Sequence, residues 1–143
     1  MTTQNQQSKC YALALKMLMR REHSQLELSK KLQLKGFNDI DIKHSIDLLI
    51  EQKYQSDERF SEAFIIMRYN QGKGPVIISS ELKKRGIESF DLSNIDWFEL
   101  AKDVRKKKFG QNLPLDYKTQ AKQKRFLKSR GFNFDQINKT FPR

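Results

Sequence analysis

The chain has 143 residues, about the size of one domain, and carries 28 Lys and Arg against 17 Asp and Glu, which gives a formal net charge of +11. Hydrophobic residues make up 37% and charged residues 31%, while Gly (6) and Pro (3) are few, so the composition excludes a low-complexity chain and a turn-rich β-sandwich. No uninterrupted apolar run approaches the roughly 18 residues of a membrane-spanning helix.

The first part of the chain has the pattern of a polar tail followed by three helices. Residues 1–8 are mostly polar and uncharged, and we predict a disordered tail there. The first helix has one apolar stripe, formed by Cys10, Leu13, Ala14, Met17 and Leu18. Ser24 and Glu27 form a capping-box pair at the start of a second helix, which Gly36 ends. Asn38 and the acids after it begin a third helix, so residues 9–54 form a first three-helix repeat.

The same plan begins again twice, which predicts a second repeat over residues 55–95 and a third over 96–143. In the second repeat Ser56 caps a helix with an acidic first turn, and the predicted apolar stripe is Phe60, Ala63, Phe64 and Met67. Pro75 fits the first position of the next helix, because the N–H that proline lacks is not needed there. The third repeat opens with the stripe Trp97, Leu100, Ala101 and Val104. A further helix runs from about Asp116 to Gly131, and a last short helix is marked by Phe134, Ile137 and Phe141.

One pattern, Leu-x-x-basic-Gly-apolar, occurs once in each repeat, at residues 32–37, 82–87 and 127–132. It is typical of a helix C-terminus, where the leucine packs inward, the basic side chain complements the helix dipole and the glycine takes a left-handed conformation. Three copies at nearly equal spacing predict an all-α fold, a tandem array of three three-helix repeats that forms an elongated, curved body. Such a body suits a partner that is itself long and repetitive.

No convergent set of groups for catalysis, metal binding or cofactor binding can be assembled from the sequence. Cys10 lies on an apolar helix stripe, which favours core packing over a nucleophilic role. His23 and His44 are separated by a chain segment with no metal-ligand cluster, and we expect His23 to be a local hydrogen-bonding or surface residue. We therefore predict a protein that is not an enzyme and needs no cofactor or metal. Its size, its single cysteine and its polar start lead us to expect a cytoplasmic monomer.

The positive charge is concentrated near the C-terminus. The third repeat carries 13 basic and 5 acidic side chains, and residues 102–130 alone carry eleven basic and two acidic ones. A solvated surface explains many charge runs, but this density favours contact with a polyanion or an acidic protein surface. One helix face carries Lys118, Lys122 and Arg125 at helical spacing. Contacts of such cations with phosphates predict binding that weakens steeply with salt.

Phe126 departs from the repeat pattern. Five residues before the motif glycine, the first two repeats have the charged residues Lys31 and Glu81, whereas the third has this phenylalanine. We expect its ring either to cover a local packing contact or to be exposed for a partner, for example as a platform on which a nucleic-acid base can stack. Arg125 and Lys128 would flank it.

Several ordered motifs, which together extend over about residues 10–141, resemble the RecX family of regulatory proteins. In chain order the resemblance is carried by Arg20–Leu28, Lys31–Leu32, Lys35–Phe37, Tyr54, Asp57, Arg59–Phe60, Gly74–Pro75, Glu81–Leu82, Arg85–Ile87, Arg125–Leu127 and Arg130–Phe132. The sequence differs from the family at Val76 and Ile77, where a basic residue often follows Gly-Pro.

The resemblance implies a bacterial cytoplasmic modulator of the RecA recombinase, built from tandem three-helix repeats. Members of this family bind RecA and generally lie in the groove of its filament on DNA. They typically suppress filament growth, ATP hydrolysis, strand exchange and the co-protease activity that triggers the SOS response, and so modulate DNA recombination and DNA repair. An elongated helical array that is basic at one end is compatible with such a role.

The candidate contacts with RecA or DNA are cations together with one aromatic ring: Arg20, Arg21, Lys35, Arg68, Lys83, Lys84, Arg85, Arg105, Lys106, Lys107, Lys108, Lys118, Lys122, Lys124, Arg125, Phe126, Lys128 and Arg130. Basic residues at a helix end, such as Arg20 and Arg21, also complement the helix dipole, which is an alternative explanation for them. Two other functions are a sequence-nonspecific nucleic-acid-binding module without a RecA partner and an enzyme acting on nucleic acid. The missing nucleophile and acidic metal cluster argue against the enzyme.

Overall fold

The computed structural model describes residues 3–141, and within them every regular element is an α-helix. In chain order these are α1 (Thr3–Arg20), α2 (Gln25–Leu34), α3 (Asp39–Glu51), α4 (Asp57–Asn70), α5 (Pro75–Lys84), α6 (Trp97–Phe109), α7 (Tyr117–Ser129) and α8 (Phe134–Thr140). The prediction of an all-α class is confirmed. Met1 and Thr2, which belong to the predicted tail, lie outside the described residues.

The helices begin where side-chain caps satisfy the first free backbone N–H groups. The hydroxyl of Ser24 accepts from the Glu27 N–H at 3.1 Å, and the Glu27 carboxylate accepts from the Ser24 N–H at 3.1 Å, as the capping box predicts. Pro75 is the first residue of α5, also as predicted. The other side chains that cap a helix start are those of Asn38, Ser56, Asp96, Asp116 and Asn133.

The three copies of the leucine–glycine motif end α2, α5 and α7 with one geometry. The apolar residue of each copy donates its N–H to the carbonyl of the leucine five positions earlier, over 3.3, 3.0 and 3.2 Å in chain order. The glycines have φ angles of 91°, 82° and 100°, and all three leucines are fully buried. The motif is therefore a helix C-terminal cap, as its sequence predicts.

The predicted disordered tail is wrong for residues 3–8, because α1 already begins at Thr3. The part of α1 that packs starts near Cys10, and extending an existing helix costs far less free energy than nucleating a new one. Glutamine, which is frequent in this segment, is also a good helix former. Polarity alone therefore does not stop the helix.

The prediction of a buried side chain is wrong at two positions of α4 and at one position of α8. Ala63 and Met67 are exposed, and Ser61 and Ile65 are buried in their place, because the buried face of α4 is rotated by part of a turn from the predicted stripe. Phe134, the first residue of α8, is 78% exposed. The short helix packs through residues of its later turns.

The second repeat contributes two α-helices and not the predicted three, because the segment between α5 and α6 forms turns. The Asp91 carboxylate accepts from the backbone N–H of Ser93 at 2.8 Å and from its hydroxyl at 2.6 Å, which closes one of these turns locally. The indole N–H of Trp97 donates to the Leu92 carbonyl at 2.8 Å and joins the turn to the start of α6. Side-chain bonds of this kind compete with a helix in a segment rich in Asp, Ser and Asn.

The chain divides into two compact units, and the boundary between them passes through the second repeat. The first unit contains α1, α2, α3, the beginning of α4 and residues 82–90. The second unit contains residues 64–81 together with α6, α7 and α8. Each end repeat is therefore completed by helical turns of the middle repeat, as expected for an array in which repeats pack on their neighbours.

The core of the first unit confirms the packing role predicted for Cys10. Cys10 is fully buried in one cluster with Leu28, Leu32, Ile46 and Leu49, where α1 packs against α3. Burial raises the pKa of its thiol above the usual value. A thiol that is buried and neutral at pH 7 behaves as a small apolar side chain.

Two of the motif glycines also make close contact with the preceding repeat. A Cβ atom on Gly86 would lie 2.9 Å from the Cβ of Leu26, near the start of α2, and one on Gly131 would lie 2.8 Å from the Cγ1 of Ile77, near the start of α5. Gly36, in the first repeat, has no such neighbour within 4 Å. The glycine thus serves as a helix cap in every repeat and as a contact surface wherever a preceding repeat exists. Ile77 therefore has a packing role.

Candidate nucleic-acid and protein interface

The cations of the third repeat lie mainly on two parts of the second unit. Lys106, Lys107 and Lys108 are exposed in the last turn of α6. The exposed residues Lys118, Lys122 and Arg125 follow one face of α7, as their spacing predicts, and Lys128 is exposed in its last turn. Charges at helix C-termini also complement the helix dipole, which stabilises part of this arrangement locally.

These seven exposed cations have no acidic partner within the part of the chain that the structure describes. Among the described residues, no carboxylate lies within salt-bridge distance of any of them. Their charge is therefore available to an external anion, and it adds to the net positive charge of the third repeat.

Three of the candidate cations in the first two repeats are instead paired within the protein. Arg21 and Arg85 approach the Glu27 carboxylate at 3.2 and 3.6 Å, and Arg68 approaches Glu81 at 2.8 Å. Burial raises the pKa of Glu27, but hydrogen bonds from the Arg21 guanidinium and the Ser24 N–H outweigh this effect and leave the pKa below its usual value. The remaining candidates of these repeats are exposed: Arg20, Lys35, Lys83 and Lys84.

Arg105 is not available to a partner, and its prediction as a contact residue is wrong. Its side chain is buried, with 2% of the residue exposed. The guanidinium donates to the carbonyls of Gly110 (2.6 Å) and Gln111 (3.2 Å) and to the side-chain oxygen of Gln123 (3.0 Å). Arg105 therefore fastens the loop after α6 to α7, and its hydrogen bonds go to neutral acceptors inside the fold.

Phe126 is half-buried and makes the local contact that is one of its two predicted roles. Its ring meets Phe109, the last residue of α6, edge to face with 5.3 Å between centroids and 88° between planes. The equivalent residues of the other repeats also contact the region before their helix, although with different chemistry: Lys31 bonds to His23 at 2.9 Å, and Glu81 pairs with Arg68.

Phe126 also lines a cleft of about 530 Å³ in the second unit, together with Lys107, Lys108 and Arg130. Tyr69 and Gly72, from the end of α4, form another wall. Nothing in the sequence marks these two residues as part of a site. Gly72, with a φ of 76°, is predictable only as a helix break, and its position beside Arg130 depends on contacts between repeats that no periodicity reveals.

Two further candidates have contacts inside the protein. The ammonium of Lys124 lies 5.6 Å from the centroid of the Phe141 ring, so Lys124 covers an aromatic side chain in addition to carrying charge. The Nη2 of Arg130 donates to the Gln71 carbonyl at 2.6 Å, which orients the guanidinium towards the end of α4. Only part of each side chain is exposed.

His23 has the local hydrogen-bonding role that its position predicts, and it is buried. Its Nδ1 lies 3.1 Å from the Arg21 carbonyl, and its Nε2 lies 2.9 Å from the Lys31 ammonium. If Nε2 accepts from Lys31, then Nδ1 carries the proton and donates to the carbonyl. Burial lowers the pKa of His23, and the nearby charges of Arg21 and Lys31 lower it further, against the effects of the Arg21 carbonyl and Glu27.

Protonation of His23 is expected to destabilise the fold in mild acid. Because its pKa in the folded protein is lowered, the unfolded chain binds more protons below its usual pKa of about 6.5, so the free energy of unfolding falls as the pH decreases from 7 to 5. We expect His23→Gln to reduce this pH dependence. Urea unfolding followed by circular dichroism at several pH values measures the slope, and equal slopes for the two proteins would contradict the assignment.

The described residues contain no group of three or more His, Cys, Asp or Glu side chains that could hold a metal ion. Within the same part of the chain, no helix has the length and apolar character needed to cross a membrane.

Comparisons with known proteins place three family models along the chain. Residues 10–49, 56–92 and 94–141 match the models of the first, second and third three-helix domains of RecX, respectively. A protein named Regulatory protein RecX from Acinetobacter baylyi is 37% identical over 140 residues, which cover 95% of this chain and 88% of that protein. A protein of the same name from Pseudomonas putida is 39% identical over 132 residues and covers 88% of this chain and 85% of its own length.

Two solved structures share the fold. The crystal structure of RecX from Lactobacillus salivarius has a TM-score of 0.76 at 24% identity and covers 95% of this chain and 94% of its own. The crystal structure of a second regulatory protein RecX has a TM-score of 0.81 at 24% identity and covers 95% of this chain and 73% of its own. The predicted family and the predicted helical repeat are confirmed by these matches.

Proposed function

Because the chain belongs to the RecX family of regulatory proteins, we propose that it binds the RecA recombinase and the RecA–DNA filament in the bacterial cytoplasm. In this role it inhibits the recombinase, ATPase and co-protease activities of RecA and so modulates DNA repair and the SOS response. The protein acts by binding and has no catalytic step of its own.

The observation that carries the proposal is the density of unpaired exposed cations in the third repeat. In the first two repeats Arg21, Arg68 and Arg85 are paired with carboxylates, whereas the exposed cations of α6 and α7 are unpaired among the described residues. Unpaired cations along a helix can neutralise DNA phosphates or acidic groups of a protein. The third repeat is therefore the proposed contact with the filament, and the candidate residues there are Lys106–Lys108, Lys118, Lys122, Arg125 and Lys128.

Charge reversal on the exposed face of α7 tests the proposal. We expect the triple variant Lys118→Glu, Lys122→Glu and Arg125→Glu to need about tenfold more protein, or still higher concentrations, for the same inhibition of the DNA-dependent ATPase of RecA. Lys124 is left unchanged because it covers Phe141. The matched control reverses three exposed lysines of the first repeat, Lys9, Lys16 and Lys30, and changes the net charge equally. Equal loss in the two variants would remove the α7 face from the mechanism.

The unpaired charge also supports the second function, a nucleic-acid-binding module without a RecA partner. Measuring DNA binding by the protein alone at the same salt concentration separates the two functions. Inhibition well below one protein per RecA, at concentrations where bare DNA is hardly bound, supports the filament modulator. Inhibition that begins only when the DNA itself is coated supports simple competition for DNA.

A further inference from the structure

The cleft beside Phe126 has the size and position of a ligand site. It measures about 530 Å³, within the range of about 300–1,000 Å³ that is typical of small-molecule sites. Its walls come from the end of α4, the exposed side of α6 and the last turns of α7, all within the second compact unit.

One side of the cleft is positively charged and partly fixed in place. Lys107, Lys108 and Arg130 line it, and the carboxylate of Asp103 is its single acidic group. The Nη2 of Arg130 is held by the Gln71 carbonyl at 2.6 Å, whereas its Nε is buried and has no hydrogen-bond acceptor among the described residues. The hydrogen bond to Gln71 fixes the direction of the guanidinium, and the part of the side chain that lines the cleft can donate to an anionic oxygen there.

The aromatic ring of Phe126 lies next to the same charges. The Lys108 ammonium is 5.5 Å and the Arg130 guanidinium carbon 5.9 Å from the centroid of this ring. The Phe109 ring packs against the Phe126 ring with 88° between the two planes, which holds Phe126 in place. Phe126 is still partly exposed to solvent. A ligand that carries a flat ring within a few ångströms of a negative charge can use these groups together.

We propose that this cleft binds one nucleotide, with its phosphate at Lys107, Lys108 and Arg130 and its base against Phe126. The nucleotide is a unit of a single-stranded nucleic acid or a free nucleoside phosphate, since a base inside a duplex does not present its face. An acidic peptide without an aromatic residue offers the negative charge but no flat ring beside it. This site would be one part of the DNA contact in the proposed function. It rests on that function only in assuming that the protein meets nucleic acid.

The test uses the full chain alone, without recombinase, and compares ligands that differ only in their bases. We expect an octamer of thymidylate to bind more tightly than an abasic octamer of equal charge and to shift the backbone amide resonances of Gly72 and Phe126 in NMR spectra. Phe126→Leu is expected to lower the affinity for the thymidylate octamer by about fivefold to a hundredfold and to leave that for the abasic octamer unchanged. A titration with thymidine monophosphate shows whether a free nucleotide produces the same shifts, in which case the strand is not required.

A pair of charge-matched variants keeps the test decisive if Phe126→Leu unfolds. Lys107→Ala with Lys108→Ala removes two charges from the cleft, and Lys9→Ala with Lys30→Ala removes two from exposed positions of the first repeat. The cleft variant should lose the larger share of affinity for the thymidylate octamer and abolish the shift at Gly72. Equal losses in the two variants, or equal binding of the abasic and thymidylate octamers, would overturn the nucleotide site. Such a failure would not contradict the proposed inhibition of RecA, because the experiment contains no recombinase.

Discussion

Gly74→Ala is expected to lower the free energy of unfolding of the second unit by about 3 kcal/mol or more. A Cβ atom at this position would overlap the Gly131 carbonyl oxygen and lie 2.7 Å from the Phe132 nitrogen, and both are backbone atoms that cannot rotate away. The Gly74 N–H donates to the Arg130 carbonyl at 2.7 Å, and the Val76 N–H donates to the Gly131 carbonyl at 2.9 Å. Relieving the clash therefore separates two segments joined by backbone hydrogen bonds.

The destabilisation expected for Gly74→Ala is opposite in sign to the effect that the conformational entropy of the unfolded chain alone would produce. Replacing a glycine by alanine usually stabilises a protein by about 0.4–1 kcal/mol where the backbone conformation allows it, because the unfolded chain loses freedom. Gly74 does not have a positive φ, so only the close approach of the third repeat makes alanine unfavourable. A stabilising substitution would show that the two segments are not in contact in solution.

Gly110→Ala in the same unit is the matched control for Gly74→Ala. Gly110 has a φ of 94° and a ψ of 177°, a conformation essentially confined to glycine, but a Cβ atom added there would have no neighbouring atom within 4 Å, so alanine is expected to cost only about 1–3 kcal/mol of backbone strain. Trp97 is the single tryptophan and lies in the second unit, so its fluorescence during urea unfolding reports both variants. Gly110→Ala therefore measures backbone strain without a steric clash, whereas Gly74→Ala measures the close contact between repeats without strain from a positive φ.

The helix positions and their ends could be predicted because they depend on local chemistry. A capping serine, a first-turn proline and a left-handed glycine act within a few residues of the chain, and the structure confirms them at Ser24, Pro75 and Gly131. The second role of Gly131, its contact with Ile77, depends on another repeat and leaves no periodic signal. For the same reason the cleft residues Tyr69 and Gly72 could not be predicted from the sequence.

Arg105 is different, because the signal that it is buried is present in the sequence. It follows Trp97 and Ala101 at intervals of four residues, so it lies on the apolar stripe of α6. It is also the first residue in a run of four cations. A run of equal charges suggests one surface feature, although successive residues of a helix point in different directions. The helix period separates Arg105 from Lys106, Lys107 and Lys108, which are exposed.

Arg105→Leu is expected to destabilise the second unit by about 1–3 kcal/mol, the cost of leaving a buried polar group without its hydrogen-bond partner. Leucine fills part of the volume but donates no hydrogen bond, so the Gly110 and Gln111 carbonyls and the Gln123 side chain lose their donor inside the protein. Arg105→Lys is expected to recover only part of the loss, since one ammonium cannot reach acceptors that the guanidinium fork spans.

Arg125→Leu provides the matched control, because it removes the same side chain from an exposed position of α7 and should change the free energy of unfolding by no more than about 0.5 kcal/mol. Urea unfolding followed by Trp97 fluorescence measures both variants. In a DNA-binding assay performed on folded protein, the order of the two effects should be reversed. Arg125→Leu should weaken DNA binding, whereas Arg105→Lys, which keeps the charge, should leave DNA binding unchanged. Weaker binding by a fully folded Arg105→Lys would show that the guanidinium reaches the partner and that its bonds to the loop open on binding.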